Sequence, residues 1–253
     1  MPIDSEVRDG VLVVTNNNPS RRNSIDLDAF ADLDRAIAQA NADPAIGAVI
    51  IVGAEGYFCS GGDVNGLRER VGEPDEAKRL EGINRLHAMI ATIRSCPKPV
   101  IAAVEGGAAG AGVSRALACD LIVAANNAYF SVAYVKIGLT PDGGATAFLS
   151  QALPRQLVAE MCMTGNRVGV DRLHTFGLVN ELTEPGKAFD RAMQVAEMLA
   201  KGPSRAISRI KELTDLGQSA SLAEQLDNDH PRETLEALVA NGGLDLAKTG
   251  DSE

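Results

Sequence analysis

Short runs of nearly unbroken apolar residues punctuate the first half of the chain: VLVVT (11–15), AVIIVGA (48–54), PVIAAV (99–104) and DLIVAA (120–125). They are too short for core helices and lack alternating polar positions, the pattern of strands buried on both faces. Between the first two runs, Leu27, Phe30, Leu33, Ala36 and Ile37 recur at helical spacing. Residues 27–40 therefore read as an amphipathic helix, with Ser24 as its N-cap and Asn41 and Pro44 as its stop. EGYFCSGGDVNGL (55–67) reads as a loop entering another helix, and a longer helical stretch over 75–95 closes at Pro97 and Pro99. From residue 154 the pattern turns almost wholly helical, broken at Gly165, Gly177, Pro185, Pro203 and Gly217, with FGLVNEL (176–182) as a late strand. Strands alternating with helices predict an α/β core followed by a helical C-terminal part.

Composition narrows the class. The 253 residues are 45% hydrophobic but only 4% aromatic, without Trp, so the core is built from Ala, Val, Ile and Leu. A net charge of −10 argues against nucleic acid or an anionic membrane surface as partner. Cys59, Cys96, Cys119 and Cys162 show no CxxC spacing, which fits a reduced, cytoplasmic protein using cysteine as a small apolar residue. The opening MPIDSEVRDG has no signal-peptide character, and no apolar run nears the roughly eighteen residues of a membrane span.

GGAAGAGVSRALACD (106–120) poses the chemical question. The commoner use of such glycines is a tight strand-to-helix turn; the sharper one is a backbone that faces a ligand. The spacing Gly107-x-x-Gly110-x-Gly112 reverses the dinucleotide fingerprint, and Asn126 and Asn127 stand where a ribose-binding acid belongs. No Gly-Lys-Ser/Thr follows for a P-loop, and Ser114 lacks the second glycine of a nucleophile elbow. His87, His174 and His230 are scattered, which speaks against a metal site. What remains is a pair of backbone nests, FCSGGDV (58–64) and GAAGAG (107–112), each after a buried strand and before a helix. Two N–H groups aimed at one oxygen form an oxyanion hole.

RRNSI (21–25), FCSGGDV, PKPVIAAVEGGAAGAG (97–112), ACDLIVAA (118–125) and KIGLTPDGGAT (136–146) together resemble the enoyl-CoA hydratase/isomerase (crotonase) superfamily, in order over roughly residues 10–215. The resemblance implies an α/β spiral of ββα units over 1–190. It also implies a helical oligomerisation region over 191–253, and assembly as a homotrimer or dimer of trimers. It implies an acyl-CoA thioester as ligand, with CoA part of the substrate and no separate cofactor or metal. Gly62 and Ala111 match the two N–H donors to the thioester oxygen. Arg22, Ser24, Ser60, Asp63, Val64, Ala108, Ser114 and Tyr134 match positions around the substrate, Arg22 toward the CoA phosphates.

The departures from the family matter as much. The two glutamates of the hydratases fall on Ser114 and Tyr134, neither a ready base near neutral pH. Asp142 occupies a position where some isomerases and dehalogenases of the superfamily hold a catalytic acid, although Asp between Pro and Gly-Gly is also ordinary turn or capping chemistry. KIGLTPDGG with non-acidic residues at 114 and 134 most resembles the phenylacetate-pathway isomerase branch. An enoyl-CoA isomerase is the leading expectation. A hydratase with another proton-handling group, or an acyl-CoA-binding protein without turnover, stands beside it. Asp63 and Asp120 read as a helix cap and a turn residue. Arg115 is out of keeping with its small-residue helix, and the tail after residue 234 lacks the Phe and most of the cations that family members use on CoA, so its end is expected to be disordered.

Overall fold

The structure is a computed structural model that describes residues 3–63 and 74–228. The unbroken apolar runs have a simple cause: their side chains alternate between two separate cores. Leu12, Val14, Val49, Ile51, Val100, Ala102, Val104, Ile122 and Ala124 face the larger core. Val11, Val13, Ala48, Ile50, Val52, Ile101, Ala103 and Val123 face the smaller one. A sheet covered on both sides has no reason to alternate in polarity.

Its strands run in the order β1 (Ile3–Arg8), β2 (Val11–Asn16), β3 (Ala48–Gly53), β4 (Val100–Val104), β6 (Leu121–Ala125) and β9 (Glu181–Thr183). β1 is antiparallel to β2, and all later pairings are parallel. Parallel neighbours need crossovers, and helices Leu27–Ala42, Glu76–Ser95 and Ala111–Ala118 lie in those connections. A second sheet joins β5 (Gly107–Ala109), β7 (Tyr129–Ser131) and β8 (Val168–Gly169).

Several sequence-based expectations shift. The first helix is capped by Asp26, whose carboxylate accepts from Ala29 N at 2.9 Å, and not by Ser24. Ser24 is buried beside Ile25, which forms an isolated parallel bridge with Gly62. FGLVNEL is mostly turn, because the His174 ring (Nδ1) and the Val179 carbonyl hydrogen-bond at 2.8 Å, and only its last residues enter β9. The boundary drawn at 190 falls inside helix Ala188–Ala200, whose Ala188, Ala192, Val195 and Ala196 fill the smaller core, so the first compact unit extends to Ser204.

The second unit begins at Arg205 and is described to residue 228. Its helix Leu222–Asn228 starts with a reciprocal cap. Ser221 N donates to Glu224 Oε2 at 2.8 Å, and Glu224 N donates to Ser221 Oγ at 3.3 Å. Among the described residues no helix is long and apolar enough to cross a membrane.

Candidate active site

The two glycine-containing loops lie side by side because the backbone stitches them together. Phe58 N donates to Glu105 O at 2.9 Å, Cys59 N to Gly107 O at 3.2 Å, and Ala109 N to Cys59 O at 2.9 Å. On its other edge, Ile25 N donates to Gly61 O at 2.8 Å and Asp63 N to Ile25 O at 3.0 Å. Ile25 thus engages both neighbours of Gly62, so the Gly62 N–H points away from that bridge. It has no acceptor among the described residues, Gly62 is exposed, and a Cβ built there meets nothing within 4 Å. Close by, Ala111 opens helix Ala111–Ala118, where a first-turn N–H has no intrahelical acceptor. Gly110 turns the chain into that helix at φ 50°, a conformation other residues adopt at a cost. A Cβ on Gly61 would lie 3.4 Å from Ala111 N. Among the described residues neither N–H has an acceptor, and the two stand close together at a helix N-terminus, an arrangement suited to developing negative charge on an oxygen.

The polar residues at 114, 134 and 142 converge. Ser114 Oγ donates to the Asp142 carbonyl at 3.0 Å, and the Tyr134 hydroxyl donates to Asp142 Oδ1 at 2.6 Å. Gly143 and Gly144, at φ 58° and 75°, fold this loop onto Ser114: a Cβ on Gly143 would stand 2.9 Å from Ser114 Cβ. Burial, and then the Asp142 carboxylate, push the Tyr134 phenol far above its ordinary range, with Ser114 pulling slightly the other way. Tyr134 thus stays a proton donor that holds Asp142 Oδ1, while Oδ2 makes no hydrogen bond among the described residues. The capping alternative for Asp142 does not hold. Helix Ala145–Ala152 has Gly144 at its N-cap and no side-chain cap, and only the Asp142 carbonyl serves the turn, accepting from Ala145 N at 3.2 Å.

The surrounding positions divide. Ser60 shapes the Arg21–Arg22 turn, its N donating to Arg22 O at 3.0 Å and its Oγ to Arg21 O at 2.9 Å. Arg22 is exposed at φ 50°, with its guanidinium 5.9 Å over Tyr57. Asp63 pairs with Arg21 at 3.0 Å; the helix it was expected to cap, and Val64, lie outside the described residues. Ser24 is buried beneath this turn, its N donating to Arg21 O at 3.2 Å. Ala108 is fully buried between Cys59 and Phe130 and presents no surface to a ligand, and the Ser114 side chain is closed off beneath Asp142. Asp120 is structural as expected, its Oδ2 accepting from Val100 N at 2.8 Å. Arg115, for which the sequence offered no role, lies beneath the first loop and donates to Phe58 O at 3.2 Å.

Similarity to known proteins runs through both loops and the helix between β4 and β6. Residues 6–236 match the family described as enoyl-CoA hydratase/isomerase. The chain is 31% identical to the 1,2-epoxyphenylacetyl-CoA isomerase of Escherichia coli (strain K12) over 237 residues, 94% of this chain and 90% of that protein. It is also 31% identical to the (E)-benzylidenesuccinyl-CoA hydratase of Thauera aromatica over 231 residues, covering 91% and 88%. The crystal structure of an enoyl-CoA hydratase from Polaromonas sp. JS666 superposes with a TM-score of 0.92 at 39% identity, covering 98% of this chain and 96% of that one. With β2 and every later strand, the crossovers and the paired loops inside the matched region, the chain belongs to the enoyl-CoA hydratase/isomerase family, the crotonase superfamily.

Proposed function

We propose that the protein is an acyl-CoA isomerase that shifts a double bond through a thioester enolate. Asp142 Oδ2 takes the proton next to the thioester carbonyl. The C–H electron pair moves into the carbon–carbon bond, and the carbonyl pair moves onto oxygen. That oxygen accepts from Gly62 N–H and Ala111 N–H, which have no acceptor among the described residues. The proton then returns at the far end of the extended enolate, so nothing is gained or lost overall. Proton transfer alone balances the step, and CoA takes part only as the substrate's handle.

The observation that carries this reading is the Tyr134–Asp142 pair. A buried phenol fixes one carboxylate oxygen, and the other is left to accept a proton. By the resemblance, the two carboxylates of a hydratase fall on Ser114 and Tyr134, which argues against hydration by that pair. A second reading, a hydratase with other proton-handling groups, has support in the similarity to the Thauera hydratase. Ring-derived acyl groups are the first substrates to try, because the curated relatives include an isomerase named for an epoxyphenylacetyl thioester. The test is a panel of enoyl- and ring-acyl-CoA thioesters with products weighed by mass spectrometry. Isomerisation leaves the mass unchanged. Addition of one water to every converted substrate refutes the isomerase and favours the hydratase.

A further inference from the structure

Arg115 heads the fully buried side chains by size and is 1% exposed, in a helix otherwise made of small and apolar residues and Ser114. Its guanidinium lies 4.8 Å over the Phe58 ring, Nη2 donates to Phe58 O at 3.2 Å, and Nε has no partner among the described residues. No carboxylate among the described residues pairs with it. A buried cation held by one carbonyl and one ring face is an expensive way to fill a core, where an apolar side chain would pack more cheaply. Breaches of that kind concentrate where function needs them.

The place of Arg115 supplies the need. Phe58 begins the loop that ends at Gly62, and inside that loop Gly61 N donates to Cys59 Sγ at 3.4 Å. One helical turn before Arg115, Gly112 packs so closely that a Cβ would lie 2.6 Å from Cys59 O. Gly112 and Arg115 thus press one helix face against Phe58 and Cys59, while Ala111 opens the same helix. Burial raises the Cys59 thiol pKa, and the neighbouring Arg115 charge offsets only part of that rise. We propose that Arg115 is a positioning residue, a fixed cation that ties the Phe58–Gly62 loop to the Ala111–Ala118 helix and adds positive potential behind the two N–H groups. This rests on reading Gly62 and Ala111 as the oxyanion donors.

The test uses acetoacetyl-CoA, a β-ketothioester whose enolate absorbs in the near ultraviolet, bound to the full chain. The unaltered protein should ionise the bound ligand at a lower pH than free in solution. Arg115→Met should raise that midpoint by about one pH unit and lower kcat about tenfold with little change in KM, the scale set by one nearby low-dielectric charge. Its Tm should stay level or rise, because an unpaired buried charge has gone. Arg115→Lys should recover most of the shift. A midpoint equal in Arg115→Met and the unaltered protein overturns the role of Arg115 and leaves the oxyanion reading standing. No shift in the unaltered protein overturns both. A Met variant that fails to fold, or loses activity only in step with its folded fraction, makes Arg115 a packing residue and also overturns the proposal.

Discussion

Gly62→Pro removes one hydrogen-bond donor from the opening and little else. The bonds that seat the turn use Gly61 O and Asp63 N, at 2.8 and 3.0 Å from their Ile25 partners, and not the Gly62 N–H. A Cβ at 62 meets no atom within 4 Å, so the ring starts in open space. Gly62 is outside the left-handed region, and the residue before it, at φ 100°, is a glycine able to absorb the constraint a proline imposes. The stability change should therefore stay within about 1 kcal/mol. Catalysis should suffer far more, since losing one oxyanion donor costs about 3 kcal/mol of barrier, or roughly a hundredfold to a thousandfold in kcat. Gly62→Ala keeps the donor and places a methyl in the same space, so it measures crowding alone. Initial rates at saturating thioester, with melting curves for both variants, make the comparison. A folded Gly62→Pro protein with kcat within about threefold of the unaltered enzyme, or Ala and Pro variants that lose equally, would refute the donor role.

The contacts yield further expectations. Gly112→Ala places a Cβ 2.6 Å from Cys59 O and 2.8 Å from Cys59 Cβ. It should destabilise by about 1–3 kcal/mol and lower kcat in the folded fraction, as the helix start moves off the loop. Chemical denaturation alongside kinetics checks it, and an unaffected midpoint would contradict the close packing. Tyr134→Phe removes the hydroxyl that holds Asp142 Oδ1, so kcat should fall about tenfold or more with little change in KM, read from steady-state rates. The same variant has a pH signature. The Tyr134 pKa is raised above its unfolded value of about 10, so its contribution to stability is complete below that pH and fades as pH rises through the folded pKa. The unaltered protein should lose denaturant resistance above about pH 10 more steeply than Tyr134→Phe; equal slopes would contradict the buried donor.

The buried strands were legible in the sequence because both faces of their sheet are covered, which turns a period of two into an apolar run. β1 was not, since only Ile3 of its six residues is buried and an exposed edge strand carries little hydrophobic signal. β5 was hidden inside the glycine motif, three small residues whose pairing with β7 is set by tertiary contact. Ser24 and Asp26 are both good caps; what separates them is the bridge from Ile25 to Gly62, a contact across the fold. Gly62, Ala111 and Asp142 came through the resemblance; what the sequence could not give is the bridge from Ile25 that turns the Gly62 N–H away from the strand pairing. The bond from Tyr134 to Asp142 could not be read, because its geometry depends on two left-handed glycines turning the loop back. Arg115 was visible as an oddity, but its partner Phe58 lies 57 residues away.

The central claim is that Asp142 moves the proton of an oxyanion-held enolate. Exchange of substrate α- and γ-hydrogens with deuterated solvent, followed by mass spectrometry in the unaltered protein and in Asp142→Asn, tests it most directly. Asn keeps the side chain's shape and can still accept from the Tyr134 hydroxyl, but it cannot take up the proton. The account predicts acyl-CoA binding close to that of the unaltered protein and exchange slowed at least about a hundredfold. Exchange at close to the original rate in a folded Asp142→Asn protein would contradict it and leave Asp142 a turn residue.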